Sequence, residues 1–285
     1  MRICRFNNDR LGLVQDDEVL DITAAIECLP AQRWPVSYCD PVIEHLDQIR
    51  KLAIELAPNA KRFALSDVVL NSPVSIASKL PAAPVNYLKH MAEAQSDPTT
   101  FHAHHLKKIE EVGLFLKASS SLVGPGDGVA LRHLERRNDH ELELAVVIGK
   151  TADRVSETDA MHYVAGYAIG LDMTIRGPEE RSLRKSIDTY SVLGPWLTTA
   201  DEVGDPSALE IELHVNGELR QKANTRDLVV NIPKLISWAS SYYTLLPGDV
   251  IFTGTPDGVG PVIPGDVITA SIEKVGQMQV KVRAA

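Results

Sequence analysis

The sequence has few cysteines and no excess of basic residues. Its 285 residues include three cysteines, Cys4, Cys28 and Cys39, and no two of them show the C-x-x-C spacing of a zinc site. An odd count without that spacing favours free thiols in a reducing compartment. The 29 basic and 38 acidic residues give a net charge of −9 with no basic stripe, so nucleic acid is not an expected partner.

Long apolar runs are also absent. No stretch has the length of a membrane span, and the residues after Met1 lack the apolar core of a signal peptide. We therefore predict a cytoplasmic protein with no membrane partner. The hydrophobic share of 44% and the charged share of 24% are ordinary for a soluble globular chain.

What the sequence does contain is a series of short strand patterns with a few helices. Residues 1–28 show short apolar runs typical of a β meander, and apolar residues then recur at helical spacing from Val42 to Leu56. These patterns predict a small N-terminal α+β subdomain over residues 1–70. Residues 71–285 form the predicted catalytic domain, in which the segment around residues 86–110 lacks a clear period and is expected to be a lid.

Strands at short spacing dominate the chain from Gly113 onward. They predict a strand-dominated α+β fold, a mixed β-sandwich or roll rather than a βαβ fold. Asn216-Gly217 predicts a hairpin, and Asn231 with Pro233 predicts the start of a helix. Pro-Gly-Asp recurs at 125–127, 247–249 and 264–266, and each copy predicts a tight turn whose glycine has a positive φ.

Three carboxylates are the candidates for a metal site. Glu141 and Glu143 are two apart in a strand pattern, so they point to the same face, where they repel unless a cation or solvent screens them. Asp172 follows an apolar run, where a charge is costly unless it is paired. Oxygen ligands suit Mg²⁺, Mn²⁺ or Ca²⁺. The alternatives are a solvated face for the glutamates and a helix cap or an ion pair with Arg176 for Asp172.

A second candidate group pairs an imidazole with a carboxylate. His90 and Glu93 share one face of a helical turn, where the carboxylate would orient the imidazole as a general base for water. The alternative is an ordinary surface pair. His102, His104 and His105 lie beside Lys107 and Lys108, which would repel a cation, so an exposed loop is predicted there.

Two further segments bear on anion binding. The basic cluster Arg176, Arg181, Arg184 and Lys185 either neutralises an anionic substrate or is a solvated face. The run GDVIFTGTPDGVG over residues 248–260 lacks the Gly-Lys-Ser/Thr of a Walker motif and opens no dinucleotide-binding helix. It indicates a strand entering a loop whose hydroxyls, Thr253 and Thr255, and backbone N–H groups can bind a carboxylate.

Taken in order, these motifs resemble the fumarylacetoacetate hydrolase family over roughly residues 80–283. The matching pieces are Asn86-Tyr87-x-x-His90-x-x-Glu93, residues 114–117 and 121–127, Glu141-x-Glu143 through Lys150, Gly166 through Thr174, residues 185–189, Gly194-Pro195-Trp196, and residues 248–260. The resemblance implies a mixed β-sandwich roll, a homodimer, and Mg²⁺ or Mn²⁺ in the site, with Ca²⁺ also suitable.

The resemblance also implies roles for individual residues. Glu141, Glu143 and Asp172 would be the metal ligands, and His90 with Glu93 would activate water. The expected substrate contacts are Lys185, Thr255, Arg176 and Asn86. The sequence departs from the family pattern at Gly177, where an Asp is usual, in the loss of a nearby Gln, and in an insertion from Ser96 to Ile109. These departures border the substrate pocket rather than the metal ligands.

The predicted partner is a small anionic 2-oxo acid. One hypothesis is hydrolysis of a C–C bond in a 2,4-dioxo acid of the acylpyruvate or fumarylpyruvate type, to pyruvate and a carboxylic acid. The alternative on the same site is a decarboxylase or keto–enol isomerase acting on oxaloacetate or on a 2-hydroxydienoate of aromatic catabolism. A third hypothesis is a homologue that keeps the fold without turnover.

Overall fold

A computed structural model describes residues 1–96 and 109–285. In these residues the strands form three sheets, of twelve, three and five strands, with short helices between them. The sheets are mixed and open, which confirms the predicted strand-dominated α+β roll. In the described ranges, every helix is too short or too polar to cross a membrane.

The largest sheet consists of β1 (Arg2–Phe6), β2 (Arg10–Gln15), β3 (Glu18–Asp21), β4 (Arg62–Ala64), β5 (Leu70–Asn71), β6 (Leu80–Ala82), β7 (Phe115–Lys117), β8 (Leu122–Val123), β11 (Leu142–Ile148), β12 (Val164–Asp172), β14 (Ser191–Thr199) and β17 (Val250–Phe252). Its strands lie in the order β4-β3-β2-β1-β14-β12-β11-β17-β6-β7, and in addition β5 pairs with β1 and β8 pairs with β14. The five-stranded sheet contains β9 (Val129–Leu131), β15 (Glu210–Val215), β16 (Glu218–Asn224), β19 (Val267–Ile272) and β20 (Gly276–Ala284). The small sheet contains β10 (Asn138–His140), β13 (Thr174–Ile175) and β18 (Gly260–Pro261).

The helices are short and lie between strands. They are α1 (Pro41–Glu44), α2 (Leu46–Leu56), α3 (Leu88–Ser96), α4 (Ile109–Val112), α5 (Arg181–Lys185), α6 (Ala200–Val203) and α7 (Ile232–Tyr242). The helix predicted from Val42 to Leu56 is present but divided at His45. Asn231 caps α7 as predicted, since its side chain accepts the Lys234 N–H at 3.0 Å.

The N-terminal residues have their own small core but share the main sheet. Ile3, Leu20, Ile49 and Ala53 belong to one buried cluster. Strand β1 nevertheless pairs with β14, with Arg2 opposite Thr198, so β1 to β3 extend the sheet that contains β11 and β12. The division near residue 70 stays a prediction.

Strand β11 is buried on both faces, and its alternation determines the direction in which Glu141 and Glu143 point. Leu144 and Val146 pack into the core between the large and five-stranded sheets, together with Ile211 of β15. Ala145 and Val147 point the other way, into a second cluster. Because side chains alternate along a strand, Glu143 and Glu141 continue the row of Ala145 and Val147.

The predicted turns are present, with one difference. Asn216 and Gly217 both have positive φ in the hairpin between β15 and β16. In each Pro-Gly-Asp turn the aspartate accepts the N–H three residues earlier, at 3.0 Å for Asp127 and 2.8 Å for Asp249 and Asp266. Gly248 and Gly265 have the predicted positive φ. The prediction is wrong for Gly126, which is needed because a Cβ there would lie 2.4 Å from Val69.

Candidate active site

Three buried carboxylates meet where β11 and β12 come together. Glu141, Glu143 and Asp172 are 5%, 1% and 1% exposed, and each offers an oxygen within 4.8 Å of the others. The antiparallel register explains this arrangement. Glu143 lies opposite Gly170, and the Asp172 N–H donates to the Glu141 carbonyl at 2.9 Å, so Glu141 and Asp172 are cross-strand neighbours.

Two lysine ammonium groups lie among these carboxylates. Lys185 Nζ contacts Glu141 Oε2 at 2.6 Å and Asp172 Oδ2 at 2.7 Å. Lys117, which is fully buried, donates to Asp172 Oδ1 and to the carbonyls of Lys185 and Tyr190. Among the described residues, Asp172 thus forms its ion pairs with these two lysines, whereas Arg176, the partner that the ion-pair alternative named, pairs with Asp139 and Glu141.

The carboxylates respond differently to this charge. Burial and the charge of Asp172 raise the pKa of Glu143 well above its ordinary value. Burial would also raise the pKa of Glu141, but the charges of Lys185 and Arg176 outweigh it and hold that pKa well below the ordinary range. Burial lowers the pKa of Lys117 despite its contact with Asp172.

The donor set fits a hard divalent cation. Lys185 already places a cationic group between Glu141 and Asp172. Glu143 accepts the Gly254 N–H at 2.6 Å, and in residues 1–96 and 109–285 no lysine or arginine forms an ion pair with it. An acidic triad with one member lacking a cationic partner is suited to Mg²⁺ or Mn²⁺, which prefer oxygen ligands.

Arg176 lies at the rim of the triad and is held on both sides. Its Nε contacts Asp139 Oδ2 at 2.7 Å, and its Nη2 contacts Glu141 Oε1 at 3.0 Å. The Arg176 carbonyl accepts from Arg136, whose guanidinium also pairs with Glu179 at 2.8 Å. This arrangement explains one departure from the family pattern.

Gly177 lies directly under the Arg136 guanidinium. A Cβ at this position would lie 1.9 Å from Arg136 Nη2 and 2.4 Å from Glu179 Oε2. The aspartate usual in the family would therefore displace the Arg136–Glu179 pair. The glycine and the ion pair occur together because one makes room for the other.

The predicted dyad forms on α3. His90 Nδ1 lies 3.0 Å from Glu93 Oε2, and Glu93 Oε1 accepts the Gly258 N–H at 3.0 Å. The imidazole is 3% exposed and lines the same cavity as the triad. The glycine-rich loop after β17 thus supplies N–H groups to carboxylates, as expected, but these are the protein's own carboxylates, Glu143 and Glu93.

Most of the predicted site residues line one cavity. Those that do so are His90, Glu141, Glu143, Asp172, Arg176, Lys185 and Thr255. Asn86 is placed elsewhere. Its amide donates to the carbonyls of Val230 and Thr253 at 2.9 and 2.8 Å and accepts the Val230 N–H at 2.8 Å. Both polar atoms of the Asn86 amide thus bind backbone, and its substrate contact stays a prediction.

Three buried polar residues at the site were not predicted: Lys117, Asp139 and Gln221. Lys117 ends the apolar strand β7, so the reasoning applied to Asp172, that a charge in an apolar run needs a partner, also pointed to it. Gln221 Nε2 donates to Thr255 Oγ1 at 2.8 Å from a different sheet. No local sequence pattern predicts such a contact between sheets.

Residues 97–108 of the predicted lid lie outside the described residues. Helix α3 forms its first part, and α4 begins at Ile109. His102, His104, His105 and most of the insertion from Ser96 to Ile109 lie in the part that the structure does not describe.

A strand-rich open roll with a buried carboxylate triad beside an imidazole–carboxylate pair defines a class, that of divalent-metal sites built from oxygen donors on a β scaffold. Comparison with known families agrees. Residues 80–283 match the family model described as fumarylacetoacetate (FAA) hydrolase, C-terminal. The chain belongs to the fumarylacetoacetate hydrolase family.

Individual relatives match all or most of the chain. The sequence is 53% identical over 286 residues to maleylpyruvate hydrolase of Aquipseudomonas alcaligenes, covering 100% of both chains. A crystal structure of maleylpyruvate hydrolase from Sphingobium sp. SYK-6, in complex with manganese(II) and pyruvate, matches with a TM-score of 0.85 and 44% identity, again over 100% of both chains. A mitochondrial oxaloacetate tautomerase of Bos taurus is 36% identical over 90% of this chain and 82% of its own length.

Proposed function

We propose that the protein is a divalent-metal hydrolase that cleaves an acylpyruvate of the maleylpyruvate type into pyruvate and a carboxylic acid. The observation that carries the proposal is the buried triad Glu141, Glu143 and Asp172, which lies in one cavity with His90. The full-length similarity to maleylpyruvate hydrolase supports the same activity.

Glu141, Glu143 and Asp172 are the proposed metal ligands. A bound Mg²⁺ or Mn²⁺ would supply Lewis-acid activation of the 2-oxo acid and stabilise negative charge on its oxygen. Manganese is favoured by the structure of the Sphingobium relative, and both ions suit oxygen donors. Lys185, which contacts Glu141 and Asp172, would leave this position when a metal ion binds and would then be placed to bind substrate oxygens, the role expected from the sequence.

The His90–Glu93 pair is the proposed base. Glu93 accepts the Nδ1–H of His90, which makes Nε2 the nitrogen that can accept a proton from water. The Gly258 N–H holds the other Glu93 oxygen and thereby fixes the pair. Water activated by His90 adds to the C4 carbonyl, the C3–C4 bond breaks, and its electron pair forms the enolate of pyruvate. Protonation of that enolate at C3 completes the reaction.

The basic side chains that line one side of the cavity support a substrate with a second carboxylate. Arg176, Arg181 and Arg184 line the cavity beside Lys185. The Arg184 guanidinium donates to two carbonyls, of Glu179 at 2.9 Å and Ile175 at 3.3 Å, and burial lowers its pKa. A distal substrate carboxylate would compensate this buried charge. Maleylpyruvate carries such a group and acetylpyruvate does not.

The test is turnover of maleylpyruvate, acetylpyruvate and oxaloacetate, each with Mn²⁺, with Mg²⁺ and with a chelator. We expect metal-dependent release of one pyruvate per acylpyruvate consumed, with maleylpyruvate preferred. Replacing Arg184 with Met should lower kcat/KM for maleylpyruvate about tenfold or more and change that for acetylpyruvate little. Failure to release pyruvate from either acylpyruvate would contradict the proposal.

Keto–enol isomerisation of oxaloacetate is the second candidate, because a tautomerase relative aligns over most of the chain. This reaction needs no attacking water. The variant Glu93→Gln separates the two. This variant should lower the rate of acylpyruvate hydrolysis about 10²-fold or more, whereas an isomerase that does not use activated water would keep most of its rate.

The remaining predictions concern the oligomeric state, the cellular location and the division of the chain. The homodimer rests on the family resemblance, and the cytoplasmic location rests on the cysteine pattern together with the lack of long apolar runs. The division near residue 70 and the lid around residues 86–110 are proposed on the sequence pattern. Sedimentation equilibrium tests the dimer, which should have twice the mass of one chain.

A further inference from the structure

Gln221 connects the two sheets behind the cavity. It lies on β16 and is fully buried. Its Oε1 accepts the Leu142 N–H at 3.0 Å and contacts His140 Nδ1 at 3.2 Å. Its Nε2 donates to the Pro256 carbonyl at 3.0 Å and to Thr255 Oγ1 at 2.8 Å. Both oxygen lone pairs and both amide hydrogens are thus used.

The orientation of this amide is fixed by the backbone. Leu142 N–H can only donate, so the atom that faces it must be the oxygen. The Pro256 carbonyl can only accept, so the atom that faces it must be the nitrogen. A flipped amide would place a donor against a donor and an acceptor against an acceptor, at a large cost in a buried site. Gln221 therefore always presents an N–H to Thr255.

This orientation determines what the Thr255 hydroxyl can do. Its oxygen accepts from Gln221, so its single hydrogen must point elsewhere. Thr255 is 3% exposed and lines the cavity with the carboxylate triad. Throughout residues 1–96 and 109–285, no carbonyl or carboxylate accepts that hydrogen. The hydroxyl hydrogen is thus available to an acceptor in the cavity.

Thr253, two residues earlier, shows the opposite arrangement. Its hydroxyl donates to the Leu144 carbonyl at 2.9 Å, so its hydrogen is already used within the protein. It is fully buried and does not line the cavity. Thr253 is therefore a matched control for Thr255.

We propose that Gln221 is a positioning residue that directs the hydroxyl hydrogen of Thr255 to a carboxylate or oxo oxygen of the bound anion. The choice of a 2-oxo acid as that anion rests on the proposed function, whereas the donor geometry does not. This direction of the hydroxyl favours acceptor oxygens of the ligand at this point. Recognition of the anion at Thr255 thus depends on a side chain from the other sheet.

The experiment measures oxalate binding to the Mn²⁺-saturated protein by calorimetry, with the melting temperature as the measure of folding. Oxalate presents only acceptor oxygens and needs no turnover. The variants are Gln221→Glu, Gln221→Met and Thr255→Val, the two double variants that combine a Gln221 change with Thr255→Val, and the controls Thr255→Ser and Thr253→Val.

We expect Gln221→Glu to weaken oxalate binding roughly ten- to hundredfold, because a carboxylate at this position takes the Thr255 hydrogen for itself. Gln221→Met should weaken it less, since the hydroxyl is then free to rotate. Thr255→Val should match Gln221→Glu, and Thr255→Ser should bind as wild type. In the Thr255→Val background, either change at Gln221 should add less than about twofold. Thr253→Val should lower the melting temperature and leave oxalate affinity unchanged.

Two results would overturn the proposal. If Gln221→Glu weakens oxalate binding equally with and without Thr255, its added charge or a general distortion is the cause. If wild-type protein binds no oxalate, the donor serves no such anion. A wild-type protein that hydrolyses no acylpyruvate but shows the expected oxalate pattern would reject the proposed function and keep this inference.

Discussion

The protein buries two kinds of carboxylate, and they differ in what satisfies their oxygens. Asp249 is fully buried, and it accepts the N–H groups of Leu246 and Lys79, both at 2.8 Å. Asp40 similarly accepts from Ser75 and Ile76 backbone N–H groups at 2.7 and 3.2 Å. Asp172 and Glu141 instead receive their hydrogen bonds from side chains, chiefly the ammonium and guanidinium groups of Lys117, Lys185 and Arg176.

This difference separates structural carboxylates from exchangeable ones. A backbone N–H cannot leave without unfolding a turn, so Asp40 and Asp249 are fixed parts of the fold. An ammonium on a flexible stem can move away when a metal ion replaces it. The residues around the triad thus stabilise buried negative charge in the folded chain without closing the site to a cation.

The largest expected effect is on activity, from Glu143→Gln. The amide can still accept the Gly254 N–H, but it removes one charged metal ligand. We expect kcat/KM for maleylpyruvate to fall about 10³-fold or more, because the metal contributes several kcal/mol to catalysis. Stability should not fall, since burial and Asp172 already disfavour the charged form of Glu143.

Steady-state kinetics and thermal melts check this prediction. Glu212→Gln is the matched control, because Glu212 pairs with Lys222 on an exposed part of β15. It should change neither property by more than a small amount. A Glu143 variant that melts far below wild type but turns over normally would place Glu143 with the structural carboxylates.

The second effect is on stability, from Asp249→Asn. One amide group cannot accept all the donors that surround Asp249, so buried N–H groups are left without partners. We expect a loss of about 2–4 kcal/mol in the free energy of unfolding. Activity per folded molecule should be unchanged, as measured by denaturant titration and by kinetics on the same samples.

Asp266→Asn sharpens this comparison because Asp266 makes the same turn contact, to the Ile263 N–H at 2.8 Å, in a more exposed setting. Its expected loss is below about 1 kcal/mol. Equal losses in the two variants would show that the turn contact, and not burial, determines the stability of these aspartates.

Asn86→Ala tests whether Asn86 binds substrate, as predicted, or only the backbone groups that it contacts in the structure. Removing the amide leaves two carbonyls and one N–H without their partner, at an expected cost of about 2–3 kcal/mol. The KM for maleylpyruvate should stay within about twofold. Asn71→Ala, at a more exposed amide, is the control and should cost under about 1 kcal/mol. A rise in KM with normal stability would restore the predicted substrate contact.

The smallest expected effect comes from Lys185→Met. Without the competing ammonium, Mn²⁺ should bind about tenfold more tightly, which calorimetry measures, while the KM for maleylpyruvate rises. Lys79→Met is the matched control. Lys79 also contacts a buried carboxylate, Asp249 at 3.2 Å, but backbone groups hold that carboxylate, so metal binding should not change. Weaker Mn²⁺ binding in Lys185→Met would contradict the proposed replacement of the Lys185 ammonium by the metal ion.

Part of this arrangement was predictable from the sequence because it depends on local periods. The two-residue repeat of a strand put Glu141 and Glu143 on one face, and Asn216-Gly217 and Asn231 marked a hairpin and a helix start. The fold class followed from the same strand patterns. The family resemblance implied that Glu141, Glu143 and Asp172 act together as metal ligands. The register of β11 and β12 explains why these three residues are close.

The rest could not be predicted because it depends on which strands become neighbours. Lys117 reaches Asp172 from β7, and Gln221 reaches Thr255 from the other sheet. A motif also does not show which backbone groups an amide contacts, so the hydrogen bonds of Asn86 to Val230 and Thr253 could not be predicted. The reason for Gly177 also depends on distant residues, because the Arg136–Glu179 ion pair occupies the space that its Cβ would take.

The most direct test of the exchangeable triad is a crystal structure of the protein soaked in Mn²⁺, with anomalous scattering recorded at the manganese edge. The expected result is one strong peak bonded to oxygens of Glu141, Glu143 and Asp172, with Lys185 Nζ moved out of contact with Asp172. A triad that keeps its lysine contacts, with manganese bound elsewhere or nowhere, would contradict the proposed metal site.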